Sequence, residues 1–256
     1  MTVTTFETLQ SISMEWKSFE ECDKNPRSEI LKLGRLMGDL CQSMQVQPTD
    51  LENEKNLPRI VGEILLSLIY LSHLVDINLF SAILAKIKLN GKKYPVEFCK
   101  GLSEKYTTYS NATGITKTQG QTILVEDSST SPARRPATAE IKTSSSPTSV
   151  IVNEEDNTVT LEEISQRLIQ FCAERDWDKF HQPRSLCIAL MGEIGELAEI
   201  FQWKEDCVWE GFQDSKEFDR ACQELADCTI YLIRLATKCD LNLGLICSNL
   251  VYDHYE

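Results

Sequence analysis

Histidine is scarce in this 256-residue sequence, which holds only His73, His181 and His254. A di-iron carboxylate bundle draws Glu-x-x-His from two of its helices, so it has little to build on here. The ten cysteines include no Cys-x-x-Cys pair and are scattered at helix-like positions such as Cys41, Cys172, Cys187, Cys222, Cys228 and Cys239. The opening MTVTTFETLQSIS has neither a basic n-region nor an apolar h-region, so no secretory signal is expected. Together these absences argue for free thiols in a reducing compartment, and the cytosol is the expected location. The sequon Asn111-Ala112-Thr113 then carries no meaning. Long apolar runs are also missing. The best stretch, over 60–75, is read as too short to span a membrane and contains Glu63. Basic residues are in deficit, 26 against 39 acidic, for a net charge of −13. That balance argues against a nucleic-acid backbone or an anionic membrane as the main partner.

The acidity is local. Residues 159–256 carry 9 basic and 19 acidic side chains, whereas residues 1–110 carry 13 and 14. The stretch between them, 111–158, is rich in Ser, Thr, Pro and Ala and poor in large apolar residues. It reads as a disordered linker, because it has too little apolar surface to offset the entropy of ordering. Ser131-Pro132 and Ser146-Pro147 are read as linker punctuation rather than modification sites.

The flanking segments echo each other. In order, the first contains TLQSIS (8–13), PRS (26–28), RIVGEILLSLIYL (59–71) and DINL (76–79). The second contains TLEEIS (160–165), PRS (183–185), RACQELADCTIYL (220–232) and DLNL (240–243). We therefore expect two copies of one helical unit, over 1–110 and 159–256. No alternating strand pattern competes, and the class is all-α, a four-helix bundle in each copy. In the second copy the helices are expected over Leu161–Asp176, Arg184–Trp203, Ser215–Lys238 and from Leu243. Thr160 with Glu163 three residues on has the form of a capping box. Leu186, Leu190, Ile194 and Leu197 form a stripe at helical spacing, as do Leu225, Leu232 and Leu235.

Two acidic pairs carry the chemistry. Glu193-Ile-Gly-Glu196 lies on one predicted helix and Glu224-Leu-Ala-Asp227 on the next. At a spacing of three, both carboxylates of a pair share a helix face. A single such pair is most often a solvated face. Two pairs on successive helices, set among apolar residues, would crowd four carboxylates, and a divalent cation resolves that crowding. All-oxygen ligands favour Mg²⁺ or Mn²⁺. Around the first pair stand Trp177, His181, Arg184 and Trp203, and Tyr231 follows Asp227 by one turn. Each aromatic alone reads as core. As a group they suit a planar base, with Arg184 meeting a phosphate.

The text FCAERDWDKFHQPRSLCIALMGEIGELAEIFQWKED, followed by QELADCTIYLIRLA, closely resembles the dCTP pyrophosphatases of the MazG-like all-α pyrophosphohydrolase superfamily, over about 160–245. The resemblance implies a four-helix fold that self-associates as a dimer of dimers. It implies Mg²⁺-dependent hydrolysis of a nucleoside triphosphate to monophosphate and pyrophosphate. Glu193, Glu196, Glu224 and Asp227 would be metal ligands, with Glu193 and Glu196 catalytic. Trp177, His181, Trp203 and Tyr231 would line the nucleotide pocket.

The first copy has an eroded version of this pattern. Leu36 and Asp39 stand for Glu193 and Glu196, and Glu63 and Leu66 for Glu224 and Asp227. The second copy departs too, with Leu168 where these enzymes often have a pocket His. The family's basic phosphate-holding segment is seen only in the first copy, as Lys86 to Pro95. This complementary loss suggests a pseudo-dimer in which Lys86, Asn90 and Lys92 complete a site whose carboxylates come from the second copy. The alternatives are a non-catalytic nucleotide- or metal-binding subunit and a scaffold of the same fold.

Overall fold

The computed structural model describes residues 5–19, 24–45, 51–102, 115–118, 121–124, 159–204 and 211–252. The first copy supplies α1 (Phe6–Phe19), α2 (Pro26–Gln45), α3 (Leu51–Leu74), α4 (Leu79–Lys93) and the single turn α5 (Val96–Cys99). The second supplies α6 (Leu161–Glu174), α7 (Pro183–Phe201), α8 (Phe218–Lys238) and α9 (Leu243–Tyr252), with a 3₁₀ turn at Phe212–Asp214. The expected helices are all present, and their ends have local causes. The capping box forms: the Glu163 amide donates to Thr160 Oγ1 at 3.1 Å and the Thr160 amide donates to Glu163 Oε2 at 2.9 Å. Two of the orphan amides at the start of α6 are thus satisfied. α6 stops at Glu174, short of the expected end, as Asp176 turns the chain away at φ 54°. The repeat extends to such details. Asp76 and Asp240 both take a left-handed φ, 57° and 55°, at the ends of α3 and α8. Two residues on, Asn78 and Asn242 accept from the Ser81 and Leu245 amides at 2.9 and 3.0 Å.

The two copies do not stand as separate bundles, which corrects the picture of two bundles in tandem. One hydrophobic core runs through both, from Leu9 and Trp16 through Ile64, Leu65 and Leu68 to Leu225, Leu232 and Val251. The fourth helix of each copy packs on the third helix of the other: α4 lies on α8, and α9 lies on α3. α2 packs against α7, and a single antiparallel bridge joins Thr5 to Thr160 ahead of α1 and α6. The segment Asn56–Leu74 of α3 is, by length and composition, apolar enough to cross a membrane, contrary to the sequence reading. It is mostly buried, because α3 runs through the middle of the shared core.

The exchange depends on one close approach. A Cβ on Gly62 would lie 2.6 Å from Ile246 Cγ2 and 2.8 Å from Leu250 Cδ1. Gly62→Ala is therefore expected to push α9 off α3 and cost about 1–3 kcal/mol, the usual penalty for overpacking a filled core. A urea titration followed by circular dichroism measures this, and an unchanged midpoint would mean that α9 is not seated there.

Within 111–158, β1 (Ile115–Thr118) pairs antiparallel with β2 (Gln121–Leu124), Ile115 opposite Leu124. No strand was expected there, since the overall composition hid two short runs rich in Thr and Ile, which favour extended backbone. The rest of that stretch, with Ser131-Pro132, Ser146-Pro147 and Asn111, lies outside the described residues. Among the described residues the eight cysteines are all free thiols.

Candidate functional site

A cavity of about 700 Å³ opens between α4, α6, α7 and α8. Helical spacing selects its lining. α8 contributes Glu224, Asp227, Tyr231 and Arg234, which share one face at steps of three and four. α7 contributes Ser185, Ala189, Glu193 and Glu196 by the same rule. α4 contributes Lys86, Asn90 and Lys93. Lys92 was expected beside Asn90, but Lys93 takes that place, because steps of four and three from Lys86 reach 90 and 93 and leave 92 to one side.

One end of the cavity is acidic. Carboxylate oxygens of Glu193, Glu224 and Asp227 all lie within 4.8 Å of one another, a group able to hold a metal ion. Glu196 lines the same cavity but is not in that group. Burial, followed by the charges of Asp227, Glu196 and Glu224, pushes Glu193 up to about 7. Burial likewise raises Glu224 and Asp227, opposed in both cases by Lys86. The Lys86 ammonium forms an ion pair with Asp227 Oδ2. Arg220 sits at the rim, donating to Glu199 Oε2 at 2.7 Å, with its Nε 4.0 Å from Glu224 Oε1. The four carboxylates of this end outnumber Lys86 and, at longer range, Arg220, and divalent cations with oxygen ligands suit such a deficit.

The other end is aromatic. Trp177 stands edge-on to Tyr94, with ring centroids 5.1 Å apart at 79°, and to Phe171 at 5.9 Å and 66°. Its indole N–H donates to the Cys99 carbonyl at 3.4 Å. Arg175 Nε donates to the Tyr94 carbonyl at 2.9 Å, and the Gly101 amide to the Arg175 carbonyl at 2.8 Å. The first copy therefore braces the loop that carries Trp177 and His181. Burial, aided by the charge of Arg234, lowers His181 to about 4, so the imidazole is neutral near pH 7. Leu168, buried, lines the wall in the position noted for a family His. Burial also raises the Tyr231 phenol, which keeps it neutral.

Nine of the twelve candidate residues thus face one cavity: Lys86, Asn90, Trp177, His181, Glu193, Glu196, Glu224, Asp227 and Tyr231. Besides Lys92, Arg184 and Trp203 do not. Arg184 precedes the cavity-lining Ser185 by one helical step, about 100° around α7, and its Nε donates to the Met44 carbonyl of α2 at 2.8 Å. Trp203 lies past the end of α7 and is 88% exposed. The expectation missed Tyr94, Phe171, Phe180 and Arg234 in the lining. Arg234 was within reach of the sequence, three residues beyond Tyr231 on the same face.

The equivalent place in the first copy is filled. Leu36 and Leu66, standing for Glu193 and Asp227, are buried in the core. Asp39 accepts from Arg35 at 2.7 Å and Glu63 from Arg59 at 2.7 Å, so guanidinium groups answer the carboxylates that remain. Leu250 of α9 stands where Lys86 stands on α4 and meets α3 at Gly62.

No family model matches the chain. dCTP pyrophosphatase 1 of Homo sapiens is 51% identical over 88 residues, which are 34% of this chain and 51% of that protein. The proteins of the same name from Rattus norvegicus and Mus musculus are 51% identical over 86 residues, 33% of this chain and 50% of each. The chain spans about half the length of the curated relatives it matches. Over about a third of its own length, then, this chain is similar to dCTP pyrophosphatase 1.

Proposed function

We propose that the chain hydrolyses dCTP and modified deoxycytidine triphosphates to the nucleoside monophosphate and pyrophosphate, with Mg²⁺ or Mn²⁺. The observation that carries this reading is the convergence of Glu193, Glu224 and Asp227 at one end of a cavity whose other end is aromatic. Its similarity to dCTP pyrophosphatase 1 supports the same substrate.

Glu193, Glu224 and Asp227 would hold the cation. When bound, it offsets the charge of the triphosphate and of the leaving pyrophosphate. Lys86, Asn90 and Lys93 line the wall beside these carboxylates, where α4 brings positive charge to the phosphates. Glu196, in the cavity but outside the converging group, is the carboxylate left to orient a water and take its proton as the oxygen attacks the α-phosphorus. The bond from the α-phosphorus to the bridging oxygen breaks, and pyrophosphate leaves. Trp177 and Tyr231 offer ring surface to the base. The cytosol remains the proposed location, in keeping with the free thiols. Self-association through the bundles remains part of the reading, supported by exposed Leu31 on α2 and by exposed Ile188 and Met191 on α7.

A second reading, a nucleotide-binding subunit without turnover, is favoured by Leu168 in the cavity wall. Pyrophosphate release from a panel of dNTPs and NTPs with Mg²⁺ separates the two. Release with dCTP establishes the enzyme. Silence across the panel, with Mg²⁺ still bound by calorimetry, leaves the second reading.

A further inference from the structure

The aromatic end of the cavity contains an unspent cationic donor. Arg234 lies on α8 two turns past Asp227 and is only 2% exposed, yet it forms part of the cavity wall. Its Nη2 donates to Asp178 Oδ1 at 2.9 Å. Lys238 lies on the same oxygen at 2.6 Å, so one carboxylate answers two cations. The Arg234 Nε–H finds no acceptor among the described residues. A buried donor left without an acceptor is costly, so the guanidinium, part of the cavity wall, holds hydrogen-bonding capacity beyond its bond to Asp178.

Resting on the proposed nucleotide site, we propose that Arg234 is a base-reading residue that donates to the O2 and N3 edge of cytosine. A guanidinium offers several N–H donors and no acceptor. Cytosine presents two adjacent acceptors on that edge, the C2 carbonyl and the unprotonated N3. Uracil and thymine carry N3–H instead, which sets donor against donor. Arg234 therefore selects cytosine over the other pyrimidines, while Trp177 and Tyr231 accept any flat ring. Rejection through an unmatched buried polar group is the strong form of specificity, whereas stacking alone discriminates weakly.

The test is calorimetric binding of dCMP, dUMP and 3-deaza-dCMP, which lacks the N3 acceptor, to the wild type and to Arg234→Met and Arg234→Lys. kcat/KM for dCTP and dUTP is measured beside it. The wild type is expected to bind dCMP roughly 10- to 100-fold tighter than either analogue, the worth of a charge-assisted hydrogen bond. Arg234→Met should erase that preference, and Arg234→Lys should keep only part of it. Equal binding of dCMP and 3-deaza-dCMP by the wild type overturns the assignment without recourse to any variant. So does a preference that survives Arg234→Met, or a uniform loss for every nucleotide, which marks a structural role. Preference in binding without turnover of any triphosphate upholds Arg234 and overturns the hydrolase reading instead.

Discussion

Glu193→Gln is expected to lower pyrophosphate release from dCTP about 10³-fold, some 4 kcal/mol of transition-state stabilisation, and at the same time to make the metal-free protein more stable. Glu193 is one of the three carboxylates whose oxygens converge within 4.8 Å, so its loss removes a charged ligand from the cation. The stability effect follows from the proton. Burial and the neighbouring carboxylates raise Glu193 to about 7 in the folded state, above its ordinary value of 4.5. The folded protein binds that proton more tightly than the unfolded chain does. Its contribution is favourable below about 4.5 and is lost as pH rises through about 7. At pH 8 the metal-free wild type therefore carries a penalty that glutamine does not. The shift corresponds to about 3 kcal/mol, and discounting for the solvent that reaches the site leaves about 2. Differential scanning fluorimetry without metal should show the variant melting roughly 4–8 °C higher at pH 8, with the gap closing toward pH 5. Mg²⁺ should stabilise the wild type and leave the variant unmoved. A variant that melts lower at pH 8 would mean that the carboxylates are not crowded. Full turnover would remove Glu193 from the chemistry.

Lys86→Ala should lower turnover roughly 10²-fold although Lys86 belongs to the copy whose own site is filled. The α4 ammonium pairs with Asp227 across the exchange of fourth helices. Removing it takes away the cation paired with that carboxylate and leaves a largely buried charge poorly compensated. Breaking a buried pair costs about 3–5 kcal/mol, and partial solvation reduces this to about 2 kcal/mol for the metal-free protein. This variant should therefore melt lower without metal, opposite in sign to Glu193→Gln, and should recover part of the loss when Mg²⁺ is added. Lys86→Arg keeps the charge and should restore much of the stability. Unchanged steady-state turnover in Lys86→Ala would reduce the first copy to a support for the second.

The features legible along the chain were those decided within a few residues. The capping box at Thr160, the two carboxylate pairs and the apolar stripe from Leu186 to Leu197 each follow from the pitch of a helix, which fixes neighbours at three and four positions regardless of what surrounds them. The internal repeat was legible for the same reason, since each unit carries its own turns and caps. Even the erosion of the first copy could be read, because Leu36 and Leu66 replace carboxylates at defined steps. Contacts between helices were a different matter. Periodicity says which residues share a face but not which helix that face meets. Nothing in the periodicity tells α4 to cross onto α8 rather than stay with α3; only the complementary loss in the two copies pointed Lys86 and Asn90 to the other copy's carboxylates, and the crossing also brings Tyr94 to its aromatics. It also settles which near neighbours are left out. Arg184 and Ser185 are adjacent in the chain, yet the step of about 100° between them sends one to α2 and the other into the cavity. Arg234 becomes a cavity wall only because α6 and the loop after it close over that turn of α8. The chemistry of the carboxylates was thus written in local spacing, whereas the shape of the site was decided by burial, as two amphipathic repeats covered each other's apolar faces in one core.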